Sequence, residues 1–469
     1  MPFKKITRED ISTFTSILES SFVLSDEEHI TRCASDQTED LHYPPEVVLQ
    51  PGTPEEVSRI MAYCNEHKIP VTPRGAGTGL SGGALPVFGG VVLDMKRFNK
   101  ILKIDKRNFQ VTTEPGVITQ ELQELLKAEG LFYPPDPASK GSCFIGGNVS
   151  ENSGGPRAVK YGVVKDYVLN LEVVMPDGTI MWTGANVLKN ATGYNLTQLV
   201  TGSEGTLCVI TKIVLRLIPA VLHDLTLLVP FRSAAEACEA VNAIFLAGFT
   251  PSAMEFMERD ALEWSMKYVQ STGIDLPEDI AAHLLIEVDG NHMDELYRDA
   301  EAMAAIAQKF DVGEVLIADS HEQKQMLWTL RRKVGEAVKS HSIYKEEDTV
   351  VPRAELPELL QTIKQLGVEY GFRSVCYGHA GDGNLHVNIV KGEMSDEDWK
   401  NKLPEGIGKI FGAVVRLGGT ISGEHGIGFV QKNYMGIAFD KNQLNIMKQI
   451  KYLFDPNGIL NPGKIFADS

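Results

Sequence analysis

Residues 378–386, Gly-His-Ala-Gly-Asp-Gly-Asn-Leu-His, place two imidazoles and a carboxylate among three glycines. Residues 374–377 and 385–390 read as short strands flanking a tight turn, since the glycines permit the positive φ values that such a turn needs. In the second strand His386, Asn388 and Val390 share one face and Leu385, Val387 and Ile389 the other, so His386 can enter a site while its neighbours pack. Imidazoles brought to one mouth this way suit a divalent cation. A third ligand is wanted, and Ser-Gly-Glu-His-Gly-Ile-Gly (422–428) supplies candidates in Glu424 and His425, which stand side by side between glycines. Adjacent side chains diverge, leaving one of the pair to face a substrate as an acid–base group. The plainer alternative for these residues is a hairpin with two satisfied histidines and a solvated Glu.

A second chemistry is written in glycine. Residues 74–84, Arg-Gly-Ala-Gly-Thr-Gly-Leu-Ser-Gly-Gly-Ala, follow an expected strand at 69–73 and expose successive backbone N–H groups, a nest for phosphate. Gly77 to Gly82 matches the G-x-G-x-x-G dinucleotide fingerprint, but that fingerprint needs a helix at its third glycine. Pro86, Gly89, Gly90 and an apolar strand at 91–94 follow instead, so a nicotinamide-binding domain is rejected. Residues 146–155, Gly-Gly-Asn-Val-Ser-Glu-Asn-Ser-Gly-Gly, offer a second run of donors, and two such loops suit a large diphosphate cofactor.

The elements that must position these groups fall into four segments. Residues 1–45 form a helical lead-in starting near Thr7. Residues 46–219 form a cofactor domain: Thr53 caps a helix with buried Val57, Ile60, Met61 and Cys64, a helix from Thr119 buries Leu122, Leu125 and Leu126, and a hairpin occupies 168–183. A long apolar strand ends at Pro219. Residues 220–440 form an α+β domain with helices at 234–247, 325–339 and 356–370, strands at 283–288 and 314–317, and the histidine hairpin. Residues 441–469 have the turn density of a segment wrapping back onto another domain.

With 469 residues, 43% hydrophobic and 23% charged, the chain is ordinary globular protein. A net charge of −17 with no basic run argues against nucleic acid or an anionic membrane as partner, so an anionic substrate needs local positive charge. The six cysteines lie far apart with no Cys-x-x-Cys, which suggests neither a disulfide framework nor an iron–sulfur cluster and fits the cytoplasm. No apolar run reaches a membrane span, and any membrane association would be peripheral and borrowed from a partner.

The two glycine segments, Thr-Gly-Ser-Glu-Gly-Thr at 201–206, both histidine motifs and Leu-Asn-Pro-Gly-Lys at 460–464 together resemble the FAD-linked oxidase family. Its 2-hydroxy-acid branch is most similar: the D subunit of glycolate oxidase, FAD-dependent D-lactate dehydrogenase and D-2-hydroxyglutarate dehydrogenase. The resemblance implies an α+β fold, a two-lobed p-cresol methylhydroxylase-type FAD domain with an α+β cap for substrate. By its motifs Arg74, Gly75, Gly77, Thr78, Gly79, Gly82 and Gly83 line the pyrophosphate, and Pro135, Asp136, Ser139, Gly147, Asn148, Asn152, Gly154, Gly205 and Asn461 hold the rest of FAD. His379, His386 and Glu424 match metal ligands for Zn, Mn or Fe, His425 the catalytic base, and Arg331, Lys345 and Asn388 substrate contacts. Some relatives attach flavin through a histidine in the first glycine loop, whereas no histidine occurs between His67 and His223, so FAD is expected to be non-covalent. Where dicarboxylate-oxidising relatives carry a Thr four residues after the arginine, Gly335 stands here.

The implied activity is metal-assisted oxidation of D-lactate or glycolate, with electrons passing to a protein or quinone acceptor. D-2-hydroxyglutarate dehydrogenase is the alternative within the class. A non-redox flavoprotein like alkyl-dihydroxyacetonephosphate synthase is the alternative outside it, and a homodimer is left open.

Overall fold

The computed structural model describes residues 3–270, 274, 276–318 and 320–467. They form two compact units, the first made of Met1–Ser153, Val163–Ala220 and Glu424–Ser469, the second of Gly154–Gly162 and Val221–Gly423. The sequence-based boundary at 440 differs: residues 424–440, and with them Glu424 and His425, belong to the first unit.

The first unit has two lobes. In one, strands Val47–Leu49, Val91–Asp94 and Val71–Arg74 pair in parallel, with Val23–Leu24 antiparallel at the edge. Strands Val47–Leu49 and Val91–Asp94 are buried at every position, with apolar runs Val-Val-Leu in both, because both faces are covered. Helix Pro54–His67, capped by Thr53 with Pro54 in its first turn, buries Val57, Ile60, Met61 and Cys64. The C-terminal tail adds Leu460 beside Val71 in a parallel bridge, and Ile459 and Leu460 join this core. The other lobe is an antiparallel sheet in the order Ile101–Asp105, Gln110–Thr113, Val209–Arg216, Val168–Val174, Ile180–Trp182. Helix Thr119–Ala128 packs Leu122 and Leu126 into its core, but Leu125 is 41% exposed, off the buried stripe. The strand expected to run to Pro219 breaks at Leu217, after which Ile218–Pro219 pairs with Leu131–Phe132.

The second unit is built on an antiparallel seven-stranded sheet, among the described residues, in the order Leu316–Ala318, His223–Phe231, Ala282–Gly290, Ala253–Glu258, Arg373–His379, Asn384–Val390, Tyr344–Val350. Helices Ala234–Leu246, Met293–Ala307, Leu356–Tyr370 and Leu403–Arg416 belong to one face. Helices Arg259–Val269, His321–Arg332 and Val334–His341 cover the other, packing Leu262, Trp264, Leu327 and Trp328 on Met257, Leu285 and Tyr377. The helix expected over 325–339 is therefore two, parted at Lys333.

Candidate active site

The first unit contains a cleft of about 1330 Å³, open to solvent, lined by both glycine segments, residues 137–139, Glu204, Gly205, Glu424 and His425. Arg74, Gly75, Gly77, Thr78, Gly79, Gly83, Ser139, Gly147, Asn148 and Gly205 all reach it. A Cβ placed on Gly79 or on Gly147 would meet nothing within 4 Å, so both α-carbons look onto free space. The two segments approach closely, since a Cβ on Gly75 would stand 3.9 Å from the Gly147 backbone. This is a cradle of the backbone character that a dinucleotide's diphosphate requires.

Arg74 has a different task from the one its motif implied. Its guanidinium donates to the carbonyls of Ser35 at 2.7 Å and of Arg32, Cys33 and Ala84 at 3.4–3.5 Å, and the side chain is buried. It is a scaffold on which the loop is wound: Gly77 has φ +72°, and a Cβ there would strike Arg74 Nη2. The second glycine segment is not a loop of free donors either. Ile145–Glu151 is helical, and the N–H groups of Ile145, Gly146 and Asn148 are given to the carbonyls of Val117, Pro115 and Phe144.

Five of the expected FAD residues brace the cleft without lining it. Gly82 N donates to Thr38 Oγ1, Pro135 O accepts from Gln123 Nε2, and Asp136 faces Lys140 at 3.7 Å. Asn152 closes helix Ile145–Glu151 with φ 56° and accepts from Lys165 N, while Asn461 ties the tail down by donating to Gly83 O and Glu204 O. Gly154 falls in the other unit.

His425 is half-buried in the cleft wall. Its loop is held by Glu204, which accepts from Ile427 N at 2.8 Å and Gly428 N at 2.6 Å. Gly428 is required there: at φ +51° a Cβ would press on Ser81 O at 2.2 Å. Glu151 shares the wall, and burial, then the Glu204 charge, push its carboxyl well above the usual range. Sequence reasoning missed this acidic pair, for which the glutamate inside each glycine-rich motif was the signal.

In the second unit the hairpin forms as expected, Arg373–His379 pairing with Asn384–Val390. Register sets His379, His386 and Asn388 on one face with Glu255, Glu346 and Asp348, since Asp348 pairs with His386 and Glu346 with Asn388. The two imidazoles stand edge to face, centroids 5.3 Å apart. His379 Nδ1 meets Glu255 Oε1 at 2.8 Å, and His386 Nδ1 faces Glu346 at 3.5 Å and Asp348 at 3.7 Å. Asn388 is fully buried and its amide lacks a hydrogen bond of good geometry, although the Tyr377 hydroxyl lies close enough to influence it.

Arg331, whose plainer reading is a surface arginine, is only 5% exposed and ion-pairs with Glu255 at 2.6 Å. Lys345 pairs with Ile389, so it points to the opposite face of the sheet from the histidines and is withdrawn from the site. The strand carrying it was not foreseen, and without that strand its facing could not be read.

Residues 45–184 match the FAD binding domain family, and residues 223–465 match the family of FAD linked oxidases, C-terminal domain. The chain belongs to the FAD-linked oxidases. This FAD-linked oxidase is 40% identical over 90% of its length to the glycolate oxidase subunit GlcD of Bacillus subtilis, covering 89% of that protein. It is 38% identical over 99% of its length to a D-lactate dehydrogenase of Anaerostipes hadrus, covering 98% of it. The structure of p-cresol methylhydroxylase with substrate bound matches with a TM-score of 0.82 at 18% identity, over 99% of this chain and 98% of that one. The expected α+β fold of p-cresol methylhydroxylase type, the FAD cofactor and the oxidase or dehydrogenase class are therefore established. No helix among the described residues is long and apolar enough to cross a membrane.

Proposed function

We propose that this FAD-linked oxidase oxidises a small D-2-hydroxy acid, D-lactate or glycolate, to the 2-oxo acid and passes the electrons to a protein or quinone acceptor. The observation that carries the reading is His425 in the wall of the cleft that both glycine segments line. A neutral imidazole is a base at its unprotonated ring nitrogen, so His425 can take the substrate hydroxyl proton. Glu204, by clamping Ile427 and Gly428, fixes the loop from which the ring projects. Bound FAD supplies the two-electron acceptor for the substrate's α-hydrogen.

His379, His386 and Glu424 are proposed to hold a divalent cation, for which Zn, Mn and Fe suit an imidazole and carboxylate donor set. The second unit's residues fit a cation: Glu255, Glu346 and Asp348 gather beside the two imidazoles, against the one guanidinium of Arg331. Such an ion acts as Lewis acid on the substrate's hydroxyl. Arg331 Nε makes no hydrogen bond and remains a donor for the substrate carboxylate, with Asn388 as a further contact. The choice of a monocarboxylate is supported at Gly335, where even a Cβ would lie 3.2 Å from Tyr377 Oη, leaving little room for a second carboxylate grip.

Anaerobic mixing with D- and L-2-hydroxy acids, followed by flavin absorbance, tests the reading. D-lactate or glycolate should bleach the flavin faster than D-2-hydroxyglutarate, and the reverse order refutes the assignment. His425→Ala should keep metal and FAD while slowing bleaching by roughly 10²-fold or more. Glu424→Ala should lose metal as well as activity, with partial recovery in excess Mn²⁺ or Zn²⁺. Metal analysis showing His425→Ala depleted and Glu424→Ala loaded would reverse the two roles.

A further inference from the structure

Glu255 lies in the middle of strand Ala253–Glu258, inside the seven-stranded sheet, with no exposed surface. Its strand neighbours Ala253, Met254, Phe256 and Met257 are apolar and buried, and Leu285 stands opposite. A carboxylate at such a position is costly unless charged or strongly polar partners surround it. Here both carboxylate oxygens lie at 2.8 and 2.9 Å from His379 Nδ1, and Oε2 lies 2.6 Å from Arg331 Nη2.

The arrangement has a directional consequence. A carboxylate only accepts, so His379 must present an N–H at Nδ1, and the ring nitrogen turned away from Glu255 is Nε2. An acceptor behind an imidazole in this way fixes the ring's tautomer and orientation and raises its basicity toward a metal ion. The same carboxylate also anchors Arg331, the side chain proposed to receive the substrate's carboxylate.

We propose that Glu255 is the positioning residue of this site: it holds His379 with Nε2 toward a divalent cation and, through the shared carboxylate, ties that ligand to Arg331. This rests on the metal-assisted reading. His386 is backed differently, by Glu346 and Asp348 at ionic rather than hydrogen-bonding distance. Asp348 is already engaged by Asn384 Nδ2, Ser422 Oγ and Gly423 N, so Glu255 is the tighter of the two supports.

The test uses the FAD-loaded full chain, stripped of cation with a chelator and titrated with Co²⁺, whose visible spectrum reports both affinity and ligand geometry. The variants are Glu255→Gln and Glu255→Ala. Asp289→Asn serves as control, because Asp289 is another buried carboxylate of the same unit whose partners are Lys160 and Tyr161. Both Glu255 variants should bind Co²⁺ 10- to 100-fold more weakly, with an altered spectrum, while Asp289→Asn matches the wild type.

Wild type that binds no cation would refute the metal reading and this inference together. Wild type that binds while Glu255→Gln binds equally tightly refutes this inference alone, as does an equal loss in Asp289→Asn. If neither Glu255 variant retains FAD or a cooperative melt, the decision passes to ¹⁵N-histidine spectra of stripped wild type. There His379 should carry its proton on Nδ1, and an Nε2–H tautomer overturns the proposal.

Discussion

Gly146 and Gly147 are neighbours in the short helix Ile145–Glu151, yet enlarging them should have opposite effects, because their α-carbons face different surroundings. A Cβ on Gly146 would meet Pro115 Cβ at 2.4 Å and Pro115 O at 3.0 Å, whereas a Cβ on Gly147 would meet nothing within 4 Å and would project into the cleft. In the flavin-free protein Gly147→Leu should therefore be tolerated. Removing a glycine from a helix contributes up to about 1 kcal/mol, so the melting temperature should stay level or rise by a few degrees. Gly146→Leu forces a backbone shift and should destabilise by at least 1–3 kcal/mol, the usual cost of overpacking. With FAD present the order inverts for the cofactor. A leucine at Gly147 occupies space that the dinucleotide needs, and the same 1–3 kcal/mol or more is now charged to binding, roughly ten- to a hundredfold in affinity. Circular-dichroism melting of the apoproteins and fluorescence titration with FAD separate the two effects. If Gly147→Leu binds FAD as tightly as wild type, the cleft is not the cofactor site. If it melts as low as Gly146→Leu, the free space beside Gly147 is filled by something the reasoning has overlooked.

Two further outcomes follow from single residues. Acid or denaturant should release the flavin as free FAD, since no histidine stands between His67 and His223, and flavin remaining on the precipitated chain would contradict this. Burial, aided by Arg259, depresses the His283 imidazole to about 4, so the unfolded chain binds a proton there between pH ~6.5 and 4 that the native chain refuses. Stability from this group is complete above ~6.5 and falls by about 3 kcal/mol as pH drops toward 4. His283→Leu should flatten that limb in urea titrations run at several pH values, and an unchanged limb would refute the assignment.

What the sequence made legible follows the strength of local signals. Helix Pro54–His67 was readable because a capping Thr, a first-turn Pro and an apolar stripe agree. The histidine hairpin was readable because glycines punctuate it and its second strand alternates. Strands His223–Phe231 and Ala253–Glu258 were not, since central strands buried on both faces carry no alternation to distinguish them from buried helix. The missing strand Tyr344–Val350 had a larger cost, because only its register shows that Lys345 turns away from the histidines. Helix Ile145–Glu151 read as loop from its Gly, Asn and Ser content, and the packing of Ile145 and Val149 overrode that propensity. Glu255, an acid set among Ala253, Met254, Phe256 and Met257, is the legible sign of a buried polar centre.

Charge explains why the two chemistries use such different means. In the first unit Arg74 is, among the described residues, the one Lys or Arg lining the cleft, and its guanidinium is given to backbone carbonyls, while Glu151 and Glu204 stand in the same wall. A diphosphate there must rely on backbone N–H groups, which carry no formal charge and cannot themselves form ion pairs with those glutamates. In the second unit the logic reverses: three carboxylates surround two imidazoles and one arginine, so the field favours a cation over an anion. A carboxylate substrate is then welcome chiefly where a bound cation and Arg331 together outweigh Glu255, Glu346 and Asp348. On the proposed function, a chain of charge −17 would act on an anion by keeping its positive charge local and conditional on a metal ion.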